Sequence, residues 1–403
     1  MRALKRIAIA LLVAALAQAP FIYRRQQLAR LRAEIDRLAA ERHPATDTTF
    51  KDYRGVIHVH SWLGGHSSGT FEQIVRAARA NALDFIIMTE HPARYVSTAE
   101  ATLKGFQDGV LFINGNEVKT ADGDRLLVFP SDASADDAEK MKTAEFIARA
   151  RSKGVTTVVA YPDESHAWQE TEFDGMEVYN LYTDARRWRM SLLVFDALWS
   201  WQSYPDLIFT RLNSRPTEVL KRWDEAQRRR ATFAIAGNDA HANIGIGLFY
   251  SSGKPLFEIK FDPYEVSFRL VRNHVLIERA ERFDQTSLLS AIARGHCYIA
   301  FDLFSDPTGF LFSAESDGKR WIMGDALALD ERPVLLRAQT PLPARILLLK
   351  DGAVIKEMRH TNLLEHQANE AGAYRVEVYL EDIPLIAEKP WIISNHIRLT
   401  HAR

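Results

Sequence analysis

The sequence predicts an α/β fold: a closed βα barrel over residues 52–302, then a small all-β, sandwich-like domain over 303–403. Two observations carry this. Between Asp52 and Asp302, strand-like apolar runs alternate with helix-patterned segments; repeated β-helix-β units imply a parallel sheet, and this many favour closure. From about Pro307 the chain changes to short β-rich runs separated by Pro, Gly and polar turns. At 403 residues, 47% of them hydrophobic, it is long enough for two domains with proper cores.

Residues 1–23 stand outside that core. Arg2, Lys5 and Arg6 precede an apolar run, 7–23, broken only by Gln18 and Pro20. Its length is close to the lower limit for a membrane span, about 17 residues. A signal peptide cleaved near Ala15 and Ala17 fits as well as a signal-anchor. The protein is therefore expected to be membrane-anchored facing the periplasm or outside, or secreted if cleaved; Arg24 and Arg25 weaken the charge asymmetry. Residues 24–51 read as a helical stalk and linker. Leu28, Leu31, Ile35 and Leu38 form a short heptad-like stripe, enough for weak homodimer pairing only.

In the barrel region, helices are expected at 71–81, 144–153, 184–201 and 216–230. Strands are expected at 55–57, 83–88, 110–114, 125–129, 156–160, 175–179, 206–210 and 231–237. Beyond it, strands are expected at 334–338, 344–349, 374–379 and 391–400, with Lys350-Asp351-Gly352 as a hairpin turn. The formal net charge of -1, from 51 basic and 52 acidic residues, gives no global field to recruit nucleic acid. The single cysteine, Cys297, excludes an intrachain disulfide and a cysteine-rich zinc site and reads as a small buried hydrophobe.

Several strand-like runs end in groups that bind metal. These are His58-Val59-His60, His66, Thr89-Glu90-His91, Gly115-Asn116-Glu117, Tyr161-Pro162-Asp163-Glu164 and Asn238-Asp239-Ala240-His241. Parallel strands that stop at a loop deliver their last side chains to one rim, where βα enzymes carry their chemistry. Alternate residues of a strand share a face, so His58 and His60 can project together. Two imidazoles at that spacing suit zinc, manganese or iron. Glu117 can bridge two cations, Asp239 and His241 repeat the alternate-residue geometry, and His66 and His91 complete a second imidazole group with His241.

These motifs, in this order, resemble the polymerase and histidinol phosphatase (PHP) superfamily over roughly residues 52–302. The resemblance implies a distorted seven-stranded, TIM-like (βα)7 barrel and a metal-dependent hydrolase with metals at its mouth. Carried over, His58, His60, Glu117 and Asp239 resemble the ligands of one metal, and His66, His91 and His241 those of another. In one place the chain departs from the family. Where the family often has Ala-His-Pro, this chain has Ala160-Tyr161-Pro162, and a phenol of pKa about 10 is a poor ligand. One or two divalent ions (Zn, Mn or Fe) are expected, unless Asp163, Glu164 or His166 substitutes. Glu177 reads either as an outer carboxylate supporting a ligand or as a barrel residue.

The chemistry expected is hydrolysis of a small phosphate ester by water activated on metal, with Glu117 and Asp239 at its centre and Arg94 as the phosphate contact. Two alternatives stay open: a carbamate, amide or ester metallohydrolase, and a non-catalytic binding protein stabilised by metal. The partners expected are a small-molecule substrate and the membrane, through residues 7–23, with no nucleic acid. Ser61 and Asn116 read as local hydrogen-bonding residues. Arg186, Arg187, Trp188 and Arg189, with Phe195, Trp199, Trp201 and Tyr204, read as helix packing or as a wall over the metals.

Overall fold

The computed structural model describes all residues except 1, 45, 46, 48, 166–171, 182, 184–189, 212, 244, 250–254, 330, 331, 402 and 403. Arg186 to Arg189 and His166 therefore lie outside the described residues.

Five strands lie side by side and parallel in the order Phe85–Met88, Phe50–Val59, Phe233–Ala240, Gly175–Asn180, Thr156–Ala160. Val110–Ile113 adds a sixth beside Phe85–Met88. Phe85–Met88 and Val110–Ile113 are apolar and buried throughout, as strands covered on both faces must be. Ile57, Ile87, Ile113, Leu127, Val158 and Ile235 join in the core cluster between them.

The remaining strands overturn the expected (βα)7 TIM-like barrel with its separate sandwich. Arg125–Phe129 runs antiparallel to both Thr156–Ala160 and Asn116–Lys119. The turn between Asn116–Lys119 and Arg125–Phe129, with Gly123 at φ 92°, is too short for the helical crossover a parallel pair needs. Arg272–Glu278 is antiparallel to Phe50–Val59, and Cys297–Ala300 then pairs antiparallel with both Arg272–Glu278 and Ile392–Ser394. The C-terminal strands thus continue the sheet of the first part. Among the described residues, nineteen strands form one closed mixed sheet, and Gly245–Phe249 with Pro255–Lys260 make a separate two-stranded antiparallel sheet.

Local expectations fare better. Helices occupy Phe71–Ala80, Thr143–Ser152, Met190–Ser200 and Thr217–Arg229. Thr70 caps the first through a reciprocal bond with Gln73. Asp351 and Gly352, at φ 52° and 86°, turn the hairpin between Val334–Lys350 and Ala353–Ala368, the conformation a two-residue turn requires. Residues 206–210 are not a strand; Leu207–Arg211 is a 3-10 helix. Cys297 is buried, and burial pushes its thiol up to about 12.

The N-terminal helix runs without interruption from Arg2 to Glu41 and is long and apolar enough to cross a membrane. Its second half is not a free stalk. Leu28, Leu31 and Leu38 are buried in the body's main core cluster. Arg32 makes two bonds of 2.8 Å to Asp206, and Arg24 donates to Thr210 at 3.0 Å. Each buried leucine stabilises the docking by about 1.5–3 kcal/mol. The stripe expected to pair weakly with a second copy is thus taken up by the chain's own body.

Candidate metal centre

His58 sits where the strand Phe50–Val59 slips register against both neighbours, in left-handed backbone at φ 69°. Asp239, near the end of Phe233–Ala240, has φ 48°, and Tyr161, just past Thr156–Ala160, φ 47°. A bulge re-aims side chains, and strain in non-glycine residues gathers at functional sites. The simple alternation expected for His58 and His60 is therefore broken at His58, yet the two rings still lie close, 5.1 Å apart and tilted by 59°. Glu117 lies within the strand Asn116–Lys119 rather than at a strand end, because that strand is half of a hairpin.

One ligand atom each from His58, His60, Glu117 and Asp239 lies within 4.8 Å of the others, and all four residues are buried. Glu117 Oε2 is 3.3 Å from His58 Nε2, 3.5 Å from His60 Nε2 and 3.6 Å from His91 Nε2. Asp239 Oδ1 is 3.4 Å from Nε2 of both His58 and His60. His60, His91 and His241 form a second convergent group sharing His60. The His60 ring stacks on His91 at 4.6 Å and on His241 at 4.3 Å.

The residues fit a cation. Both His60 ring nitrogens and Asp239 Oδ1 are buried without a hydrogen bond among the described residues, an expensive arrangement unless something between them is bound. Burial pushes the His60 imidazole down to about 3. Burial would raise Glu117, but His58 and His60 beside it hold it down to about 2. Asp239 is likewise held below the ordinary carboxylate range, against burial, by His58, His60 and His241. His58 is shifted the other way: burial opposes its charge, but Glu177, Asp239 and Glu117 hold its imidazole well up. Neutral imidazole and ionised carboxylate are the forms that coordinate metal, so a cation would take the place of the His58 proton.

Behind these groups, Glu177 Oε1 meets His58 Nδ1 at 2.6 Å. Space for that carboxylate exists because residue 237 is glycine; a Cβ there would stand 1.6 Å from Glu177 Oε1. Tyr161 donates its hydroxyl to Asp239 Oδ2. Burial and the surrounding carboxylates Asp239, Glu117 and Glu177 raise its pKa, so it is a donor to a carboxylate rather than a metal ligand. Arg125 Nη1 reaches Glu117 Oε1 at 3.3 Å, with its guanidinium 5.1 Å from the Tyr161 ring.

A cavity of about 360 Å³ opens over the cluster, lined in part by His66, His91, Lys119, Arg125, Tyr161 and His241. His66 stands exposed at its mouth, 4.8 Å from the His91 ring, outside the two convergent groups. Arg94 is exposed and does not line the cavity; among the described residues, Lys119 and Arg125 are the lysine and arginine that do. Sequence reasoning missed Arg125, whose only signal is its place in the same short hairpin as Glu117, across from Lys119.

Other expectations resolve into support. Glu90 accepts from Ser61 N at 3.0 Å, Ser61 Oγ at 2.6 Å and Thr102 at 3.1 Å, which fixes the loop after His60. Asn116 donates to Glu90 O at 2.7 Å and accepts from Ser131 at 2.7 Å. Asp163 pairs with Arg222 at 3.3 Å, and neither it nor Glu164 lines the metal cavity. Phe195, Trp199, Trp201 and Tyr204 also lie away from the cavity; the first two pack on the N-terminal helix, on Phe21 and Gln18.

No protein-family model matches the chain, and no curated protein matches it. Among solved structures it is similar to PsfC from Pseudomonas syringae PB-5123, at TM-score 0.34 and 13% identity over 62% of this chain and 92% of that one. It is also similar to Endonuclease Q, solved with a 27-mer duplex substrate carrying an abasic lesion at the active site. That likeness has TM-score 0.33 and 12% identity over 60% of this chain. The chain spans only 56% of the Endonuclease Q length. At these TM-scores neither likeness fixes an activity.

Proposed function

We propose that the protein is a metal-dependent hydrolase acting on a small phosphate ester. The observation that carries this reading is the buried set His58, His60, Glu117 and Asp239, with its unbonded His60 nitrogens, beneath a cavity walled by Arg125 and Lys119. A divalent Zn, Mn or Fe ion held by that set, with His60, His91 and His241 offering a second position, would supply Lewis acidity and activate water near neutral pH.

The chain's own residues do the rest. Glu177 holds His58 in orientation, and Tyr161 holds Asp239. Arg125 is fixed by Glu117 and the Tyr161 ring, so its remaining donors can meet a phosphoryl oxygen, with Lys119 adding charge. A cavity of about 360 Å³ suits a small molecule.

Elemental analysis of the purified chain, together with turnover of activated phosphate, ester and carbamate substrates, tests this. At least one equivalent of transition metal is expected, with phosphate esters preferred. His58→Ala should lose both metal and turnover, while Arg125→Met should keep metal and raise KM by about tenfold, as for loss of a charge-assisted contact. A metal-free protein after metal-supplemented expression would sink the hydrolase reading. An Arg125→Met variant with unchanged KM for phosphate would sink the phosphate assignment alone.

A further inference from the structure

The helix Met190–Ser200 has two dissimilar faces. Asp196, Ala197 and Ser200 are buried against the body. Phe195, Leu198 and Trp199 are 39%, 73% and 40% exposed. Positions three and four apart share a helix face, so these large apolar side chains form one outward patch.

The patch lies against the apolar run of the N-terminal helix. Phe195 packs on Phe21 with ring centroids 5.1 Å apart, and Trp199 Nε1 donates to Gln18 Oε1 at 3.0 Å. Arg25 donates to Trp199 O at 2.7 Å and to Ser203 at 3.1 Å, which ties the end of this helix to the residues just past the run. Gln18, the polar interruption noted in the sequence, thus has a partner.

The level of these contacts sets the depth. The run ends at Tyr23, and Gln18 precedes it by about 7.5 Å of helix at 1.5 Å per residue. If the run enters a bilayer, Trp199 at the height of Gln18 lies below the surface of the same leaflet. An interfacial helix buries its apolar face about 5–10 Å deep, and tryptophan favours that zone. Leu11, Leu12, Val13 and Leu16 are also exposed, so the patch continues the apolar surface of the candidate membrane-crossing helix.

We infer that the outer face of helix Met190–Ser200 is a lipid-contacting surface, seated in the headgroup–acyl boundary of the leaflet that the N-terminal helix enters. This rests on that helix entering a membrane and is independent of the metal chemistry. It makes the mount two-pronged: one helix crosses, one lies in the interface, and the body is held against the bilayer at a fixed orientation.

The test uses the full chain reconstituted in phosphatidylcholine–phosphatidylglycerol vesicles. Leu198→Cys, Leu11→Cys and Val354→Cys each carry an environment-sensitive fluorophore, with the unsubstituted chain as blank because Cys297 is buried. Val354, 53% exposed on the hairpin between Val334–Lys350 and Ala353–Ala368, is the reference position on another element. Nitroxide lipids labelled at shallow and deep positions are the quenchers. The expected result is strong quenching at Leu198, several-fold greater from the shallow than the deep label, quenching at Leu11, and background at Val354. Quenching at Leu11 with only background at Leu198 would overturn the inference, because the body would then stand clear of the lipid. A blue-shifted but unquenched Leu198 label would overturn it in favour of a protein contact. Background at all three positions would overturn it together with membrane entry itself.

Discussion

His58 Nδ1 lies 2.6 Å from Glu177 Oε1, and this contact settles which nitrogen of the ring faces the cluster: Nε2, toward Glu117 and Asp239. A carboxylate on the far nitrogen fixes the tautomer and makes the ligand more basic. Glu177→Gln is expected to weaken metal affinity by about 10–100-fold without unfolding the chain. Gly237→Ala should act in the same direction, since its Cβ would collide with Glu177 Oε1. Competition against a chromophoric chelator measures both. Affinities within twofold of the parent would make Glu177 an ordinary barrel residue.

Tyr161 and Asp239 form the second supporting pair. Tyr161→Phe removes the donor to Asp239 Oδ2 and leaves a buried carboxylate oxygen unsatisfied, at a cost of about 1–3 kcal/mol. The loss is expected in the metal-free protein and should shrink when metal neutralises Asp239. Thermal unfolding with and without added zinc or manganese reads this. Equal melting temperatures for parent and variant without metal would mean the hydroxyl contributes nothing there.

The residues of the centre were legible because each motif ends a strongly apolar run, and apolar runs are what sequence reveals best. His58, His60, Glu117 and Asp239 do converge. Their route was not legible: the positive φ of His58 and Asp239 leaves no pattern in residue type. The sheet was misjudged for a related reason. Parallel and antiparallel buried strands look alike, and only pairings such as Cys297–Ala300 with Ile392–Ser394 show the two parts sharing one sheet. The stripe Leu28, Leu31, Ile35 and Leu38 is legible as an apolar face, but periodicity says that a face is buried and not against what.

That shared architecture is tied by a buried ion network. Arg375 makes bonds of 2.8 and 2.9 Å to Asp224 on helix Thr217–Arg229 and one of 2.5 Å to Glu377. Arg215 also reaches Glu377, at 2.6 and 2.8 Å. Arg375→Met leaves buried Asp224 with His396 Nε2, at 2.9 Å, in place of a bidentate arginine, and should cost about 3–5 kcal/mol, whereas adding Asp224→Asn should restore part of it. Urea unfolding of the single and double variants decides; a single variant within about 0.5 kcal/mol of the parent would show the network to be dispensable.

His274 predicts how stability depends on pH. Its Nδ1 is 2.9 Å from Asp52 and its Nε2 3.1 Å from Asp302. Tyr298 donates to Asp52 at 2.6 Å, and Arg272 bonds Asp302 at 3.0 Å. Burial opposes charge on the imidazole, but Asp52 and Asp302 outweigh it and hold the group up to about 10. The folded pKa is above the unfolded value of about 6.5, so the folded state binds the extra proton. The contribution, on the order of a few kcal/mol, is then complete below pH about 6.5 and falls away as pH rises toward about 10. Melting temperatures across that interval should decline in the parent chain and decline less in His274→Gln, which begins lower. Parallel curves for the two proteins would show that His274 does not carry the proton.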